Sequence, residues 1–151
     1  MAQNHHSVSS SVVVDAKPED VFALLADPRK HPLIDGSGTL REGISGPDRL
    51  VLGSKFGMRM KLGLRYRISN TVVEYEENRR IAWKHFGPHR WRYELEPVGG
   101  SSTKVTETFD YSRVPIPGVV GRIPLFANNR KSIEKALRRL KSYVETGDAG
   151  W

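Results

Sequence analysis

The chain has 151 residues, 38% of them hydrophobic and 27% charged, with a formal charge of +7 and no cysteine. That length fits one domain able to bury roughly two-thirds of its unfolded surface, and the composition excludes both a disordered chain and a membrane-embedded one. Without cysteine there is neither a disulfide framework nor a thiolate metal site, so a reducing compartment is the expectation.

The first residues are polar and lack the apolar stretch of a signal peptide, and no later segment approaches the roughly 20 apolar residues that span a bilayer, which reads as a cytoplasmic protein. Residues 1–6 read as a disordered tail, 7–146 as a single domain and 147–151 as a flexible tail. Ser7 to Asp15, rich in valine and serine, predicts a strand. It gives way at Asp15-Ala16-Lys17-Pro18-Glu19-Asp20 to a helix with proline and acids in its first turn. Val21, Phe22, Leu24 and Leu25 form the apolar stripe of that helix, and Asp27-Pro28 stops it. Arg29 to Ile34 predicts a second short helix, interrupted by Pro32, before Asp35-Gly36-Ser37-Gly38 turns the chain.

Turn signals then recur at Gly46-Pro47, Gly63, Glu77-Asn78, Gly87-Pro88 and Gly99-Gly100-Ser101, with strand-like runs between them. From Lys55 to Leu62 the apolar Phe56, Met58, Met60 and Leu62 alternate with Lys55, Gly57, Arg59 and Lys61, the two-residue period of a half-buried strand. Ile81, Trp83 and His85 alternate in the same way, as do Trp91, Tyr93 and Leu95, and Val105, Glu107, Phe109 and Tyr111. One-sided strands with short connections predict an antiparallel meander. Residues 114–126, apolar but broken by three prolines and two glycines, read either as a flap over a pocket mouth or as a connector packed on the core. Beyond them Ile133, Ala136, Leu137, Leu140 and Val144 follow helical spacing, so a long C-terminal helix lays its stripe on the apolar face of the sheet. That helix carries six basic residues (Arg130, Lys131, Lys135, Arg138, Arg139, Lys141) against Glu134 and Glu145. They read as a solvated face, with a phosphate-binding face as the alternative.

This order, one strand, two short helices, six strands and a long helix, resembles the helix-grip fold of the START and major birch-pollen-allergen superfamily. Within it the chain is similar to the polyketide cyclase/dehydrase and lipid-transport family known as SRPBCC. The residues carrying the resemblance are Val12 to Phe22, Asp27-Pro28-Arg29-Lys30-His31-Pro32, Arg79-Arg80-Ile81-Ala82-Trp83 and Trp91 to Pro97. It implies an α+β domain in which a curved antiparallel sheet of about seven strands, in β-α-α-β6-α order, wraps a C-terminal helix around a cavity. Family members bind lipids, hormones or polyketides, and some catalyse cyclisation, dehydration or hydrolysis.

Neither a phosphate-binding loop, a dinucleotide fingerprint nor a G-x-S-x-G elbow occurs, and the histidines lack metal-ligand spacing. No cofactor and no metal are expected. The expected ligand-binding residues are Phe56, Met58, Met60, Ile68, Trp83, His85, Trp91, Tyr93, Glu107, Phe109, Phe126, Ile133 and Leu137. A strongly curved sheet gripping one helix leaves space that side chains need not fill, and methionine adapts to varied ligands. His85 and Glu107, placed by alternation on one face, are the catalytic candidates, since a desolvated carboxylate and an imidazole can exchange protons. The leading function is a carrier or sensor for a small hydrophobic or amphipathic molecule, lipid-like or polyketide-like. The alternatives are a cyclase or dehydratase using the same polar groups, and a basic module binding anionic membrane or RNA. The first reading leaves nucleic acid aside as a partner and allows a transient membrane contact.

Overall fold

The computed structural model describes residues 6–34, 40–62, 64–85, 87–114 and 129–148; at 40–45 and within 58–67 it is the backbone that is described. Phe126 and the rest of the proline-rich segment beyond Val114 lie outside these residues, as do the side chains of Met58 and Met60. Seven strands appear among the described residues: β1 (Ser7–Val14), β2 (Leu40–Ser45), β3 (Lys55–Leu62), β4 (Leu64–Glu76), β5 (Arg80–Lys84), β6 (Arg90–Val98) and β7 (Ser102–Asp110). The helices are α1 (Pro18–Leu25), α2 (His31–Ile34), reached through a 3₁₀ turn at Pro28–Lys30, and α3 (Asn129–Thr146). The strands form one curved antiparallel sheet in the order β1-β7-β6-β5-β4-β3-β2, so the fold is α+β.

Each element follows from its residues. Pro18 opens α1, where its missing N–H costs nothing, and Glu19 and Asp20 meet the positive end of the helix dipole. Asp27 caps the 3₁₀ turn by accepting from the Arg29 N–H at 3.1 Å. The β4–β5 and β6–β7 hairpins turn at Asn78 and Gly99, with φ of 62° and 65°, a region these residue types tolerate. Gly46, with φ of 136°, is required twice over: a Cβ there would also stand 2.9 Å from the Phe56 Cβ. The helix α3 ends at Thr146, where Gly147 adopts φ of 80° and donates to the Tyr143 carbonyl at 2.7 Å.

The face of the sheet turned to α3 is apolar. Val14, Ile81, Leu95, Val105 and Phe109 from the strands form one buried cluster with Phe22 and Leu25 from α1 and Ile133, Leu137 and Leu140 from α3. The opposite face carries charge. There Glu74 accepts from Arg90 at 3.0 Å and from Arg92 at 2.8 Å, and Asp110 accepts from Arg92 and Arg113, both at 3.2 Å. Burial raises the pKa of both carboxyls, but hydrogen bonds, from Arg92 and Arg90 to Glu74 and from Ser112 and Arg92 to Asp110, outweigh it and hold both below the ordinary value.

The His6 carbonyl accepts the Tyr111 N–H at 2.9 Å. One expectation needs correction. Arg139 is not part of a solvated face: it is 5% exposed, and its guanidinium donates to the Pro32 carbonyl at 3.2 Å. Helical spacing explains this, since position 139 adjoins the stripe of Ala136, Leu137 and Leu140 on the side that meets α2. Arg139→Gln should therefore cost about 2 kcal/mol by leaving a buried acceptor short of a charged donor. Arg138→Gln, at an exposed position, should stay within about 0.5 kcal/mol. Urea unfolding of the two variants checks this.

Candidate functional site

Antiparallel register aligns the side chains of the α3-facing surface in rows across the sheet. One row runs Val72, Trp83, Trp91, Phe109, Val8, each opposite the next on the neighbouring strand. A second runs Tyr75, Ile81, Tyr93, Glu107, Ser10. Both Val72 and Tyr75 reach this face because a bulge between Val72 and Glu74 resets the alternation of β4. Just past the first row lie Phe56 and Asn70, paired between β3 and β4, then His85 and His89 flanking the β5–β6 connection, then Tyr111 and His6.

Aromatic rings fill the first row and its borders. Trp91 and Phe109 lie 4.6 Å apart, Trp83 and Tyr93 5.7 Å, and Phe109 and Tyr111 5.8 Å. His31 of α2 stacks on Trp83 with ring centroids 4.7 Å apart and meets Phe56 edge-on at 5.2 Å. Trp83, Tyr93 and Phe109 are buried in the core cluster, while Trp91, Ile68, Tyr111 and Leu33 are partly exposed around it. The apolar surface is thus close-packed under α3 and more open towards Trp91 and Tyr111.

Five polar side chains are set into this surface. Asn70 is fully buried; its Oδ1 meets His85 Nδ1 and its amide donates to the Phe56 carbonyl at 3.5 Å. Burial, and secondarily the neighbouring His89, pushes the His85 imidazole down to about 4, so it is neutral at pH 7. Burial also lowers His89. His31, 2% exposed, is lowered to about 4 by burial, against the opposing influence of its 2.8 Å bond to the Leu25 carbonyl. Glu107 is 4% exposed between Tyr93 and Ser10.

Of the residues expected to bind ligand, Phe56, Ile68, Trp83, His85, Trp91, Tyr93, Glu107 and Phe109 share this face of the sheet, and Ile133 and Leu137 close over it from α3. Met58 and Met60 occupy register positions opposite Ile68 and Tyr66 on β4. His85 and Glu107 share the face without adjoining: β6 and the whole Trp83–Trp91–Phe109 row lie between them. His85 is bonded to Asn70 instead. Sequence reading did not name Asn70, took His31 only as part of the family resemblance and weighed His89 only as a metal ligand beside His85. The signal for Asn70 was an amide at an apolar position of an alternating strand, between Ile68 and Val72. Among the described residues no cluster of histidine and carboxylate side chains can hold a metal, and no helix is long and apolar enough to cross a membrane.

The model of the family described as polyketide cyclase / dehydrase and lipid transport matches residues 5–145. An uncharacterized protein of Mycobacterium tuberculosis (strain H37Rv) is 50% identical over 105 residues, which cover 69% of this chain and 47% of that protein. The chain therefore spans about half the length of the curated relative it matches. Among solved structures, protein NE0264 from Nitrosomonas europaea superposes with a TM-score of 0.72 at 13% identity, covering 95% of this chain and 97% of that one. The Aha1 dimer from Colwellia psychrerythraea superposes with a TM-score of 0.65 at 16% identity over 93% of this chain and 97% of that one. At such identities these structures share the fold.

Proposed function

Since the chain belongs to the polyketide cyclase / dehydrase and lipid transport family, we propose that it binds a small hydrophobic or amphipathic molecule between the sheet and α3, as a carrier or sensor. The observation that carries this reading is the partly exposed indole of Trp91, packed against Phe109, whose ring in turn meets His89, itself beside His85, both imidazoles being held neutral at pH 7 by burial. A half-open aromatic surface with a few fixed polar groups is what ligand sites for apolar molecules consist of. In register the Trp83–Trp91–Phe109 row lies between His85 and Glu107, and the carrier reading, unlike a cyclase or dehydratase mechanism, needs no proton-sharing pair.

Native mass spectrometry of the purified protein should show a retained lipid-like adduct. Of the three indoles, Trp83 is buried against His31 and Trp151 lies near the C-terminus, so a Trp83→Phe/Trp151→Phe double variant isolates Trp91. Ligand uptake should then reduce quenching of the remaining indole by iodide at least about twofold, because an indole covered by ligand leaves water. Adduct formation with unchanged quenching would place the ligand elsewhere, and no adduct with any lipid or polyketide tested would sink the binding reading itself.

A further inference from the structure

We propose that His85 reads the polar end of the bound molecule through Nε2 as a hydrogen-bond acceptor, so that the site selects a neutral hydroxyl or phenol over the carboxylate of the same skeleton. This rests on the ligand-binding reading above and adds to it the chemical class of the polar end.

The argument starts at a backbone carbonyl. The Phe56 oxygen can only accept, so the side of the Asn70 amide that faces it, at 3.5 Å, is the NH₂ group. That orientation turns Asn70 Oδ1 towards His85, and an amide oxygen also only accepts. His85 must therefore carry its proton on Nδ1 and donate it to Asn70, which leaves Nε2 with a lone pair. Asn70 is rigidly placed for this, being fully buried and paired in register with Phe56. It acts as a positioning residue, fixing one tautomer of a neighbouring ring.

The surroundings reinforce the preference for a neutral donor. No lysine or arginine belongs to the three rows of the α3-facing surface among the described residues, and the acid there, Glu107, is buried one row beyond the tryptophans. Arg139, the buried cation of α3, is engaged by the Pro32 carbonyl. A second imidazole repeats the pattern with the opposite tautomer: His31 donates Nε2–H to the Leu25 carbonyl, and its Nδ1 is buried with no partner among the described residues. Both histidines border Trp83, one stacked on it and one two residues beyond it. His85 thus offers an acceptor nitrogen, which a hydroxyl satisfies and a carboxylate meets lone pair against lone pair.

The test uses matched probes, 1-dodecanol against dodecanoate and 2-naphthol against 2-naphthoate, titrated at pH 7.5 and followed through Trp91 fluorescence. The alcohol and the phenol should bind about 10-fold or more tightly than their carboxylates, the scale of one satisfied against one opposed hydrogen bond. The His85→Phe variant should abolish the difference. Long-range proton–nitrogen spectra of the ligand-free protein should show His85 protonated on Nδ1, and Asn70→Ala should give a mixture of tautomers and a reduced preference. Equal binding of each pair, or tighter carboxylate binding, would overturn the inference and leave ligand binding standing. So would a ligand-free His85 protonated on Nε2. Binding of none of the four probes would count against both.

Discussion

Replacing Trp83 by alanine should destabilise the protein by about 3–5 kcal/mol, the range for removing a large aromatic from a packed core. Trp83 is buried, and its indole is the platform on which α2 rests: His31 stacks on it, Phe56 meets it edge-on at 5.7 Å, and Tyr93 flanks it. Truncation leaves a cavity under three rings, and water entering it relieves the desolvation that keeps His31 neutral. The His31 pKa, followed by NMR, should therefore move up from about 4 towards its ordinary 6.5 in any fraction that stays folded. Trp83→Phe, which keeps a ring in place, should cost less than half as much. A loss below about 1 kcal/mol for Trp83→Ala would mean that the indole lines open space and not core.

Stability should also fall by about 3–4 kcal/mol between pH 7 and pH 5. The sign follows from linkage. His31 and His85 have folded-state pKa values lowered to about 4 from 6.5, so as pH drops below 6.5 the unfolded chain takes up protons that the native state refuses. The stabilisation from keeping these rings neutral is fully present above pH 6.5, declines through the window from 6.5 to 4, and is gone below it. Each ring contributes about 2 kcal/mol over the range considered, and His89 acts in the same direction. The carboxylates held low by their hydrogen bonds, Glu74 by Arg92 and Arg90 and Asp110 by Ser112 and Arg92, lose their contribution only at more acidic pH, which separates the two effects. Urea titrations at pH 7, 6 and 5 measure the slope, and His31→Gln should remove about half of it. A stability that does not change across this range would show that neither imidazole is desolvated in the native state.

The parts of the fold that sequence reading recovered are those governed by a single local period. Lys55 to Leu62 form the strand their alternation predicts; Trp91 to Leu95 and Val105 to Phe109 alternate without interruption, and Ile133 to Leu140 keep helical spacing, so the faces of these last three could be read residue by residue. β4 was less legible because the bulge after Val72 puts two apolar residues three apart on one face, where a strict alternation would oppose them. The alternation through His85 was read correctly as to face, although β5 ends at Lys84. What no period announces is a polar residue held inside by a partner distant in sequence. Asn70 and His85 satisfy each other across two strands, and Arg139 finds a carbonyl on α2, so each looks like an exception until the pairing is known. The candidate site is built largely from such exceptions.

The pairing of β1 with β7 has a consequence for how the chain reaches this state. Ser11 and Thr106 share a hydroxyl contact across 95 residues of sequence, and the Asp15 N–H donates to Glu145 across 130. During synthesis β1 emerges first and has no strand to join until β7 and α3 have followed, so its valine-rich, uncharged edge waits unpaired. Closing contacts of such long range set slow folding, on the millisecond-to-second scale. The interval in which this protein is most open to aggregation therefore ends only when the last helix arrives, and a nascent chain stalled before residue 102 should remain bound to chaperones with β1 accessible to protease.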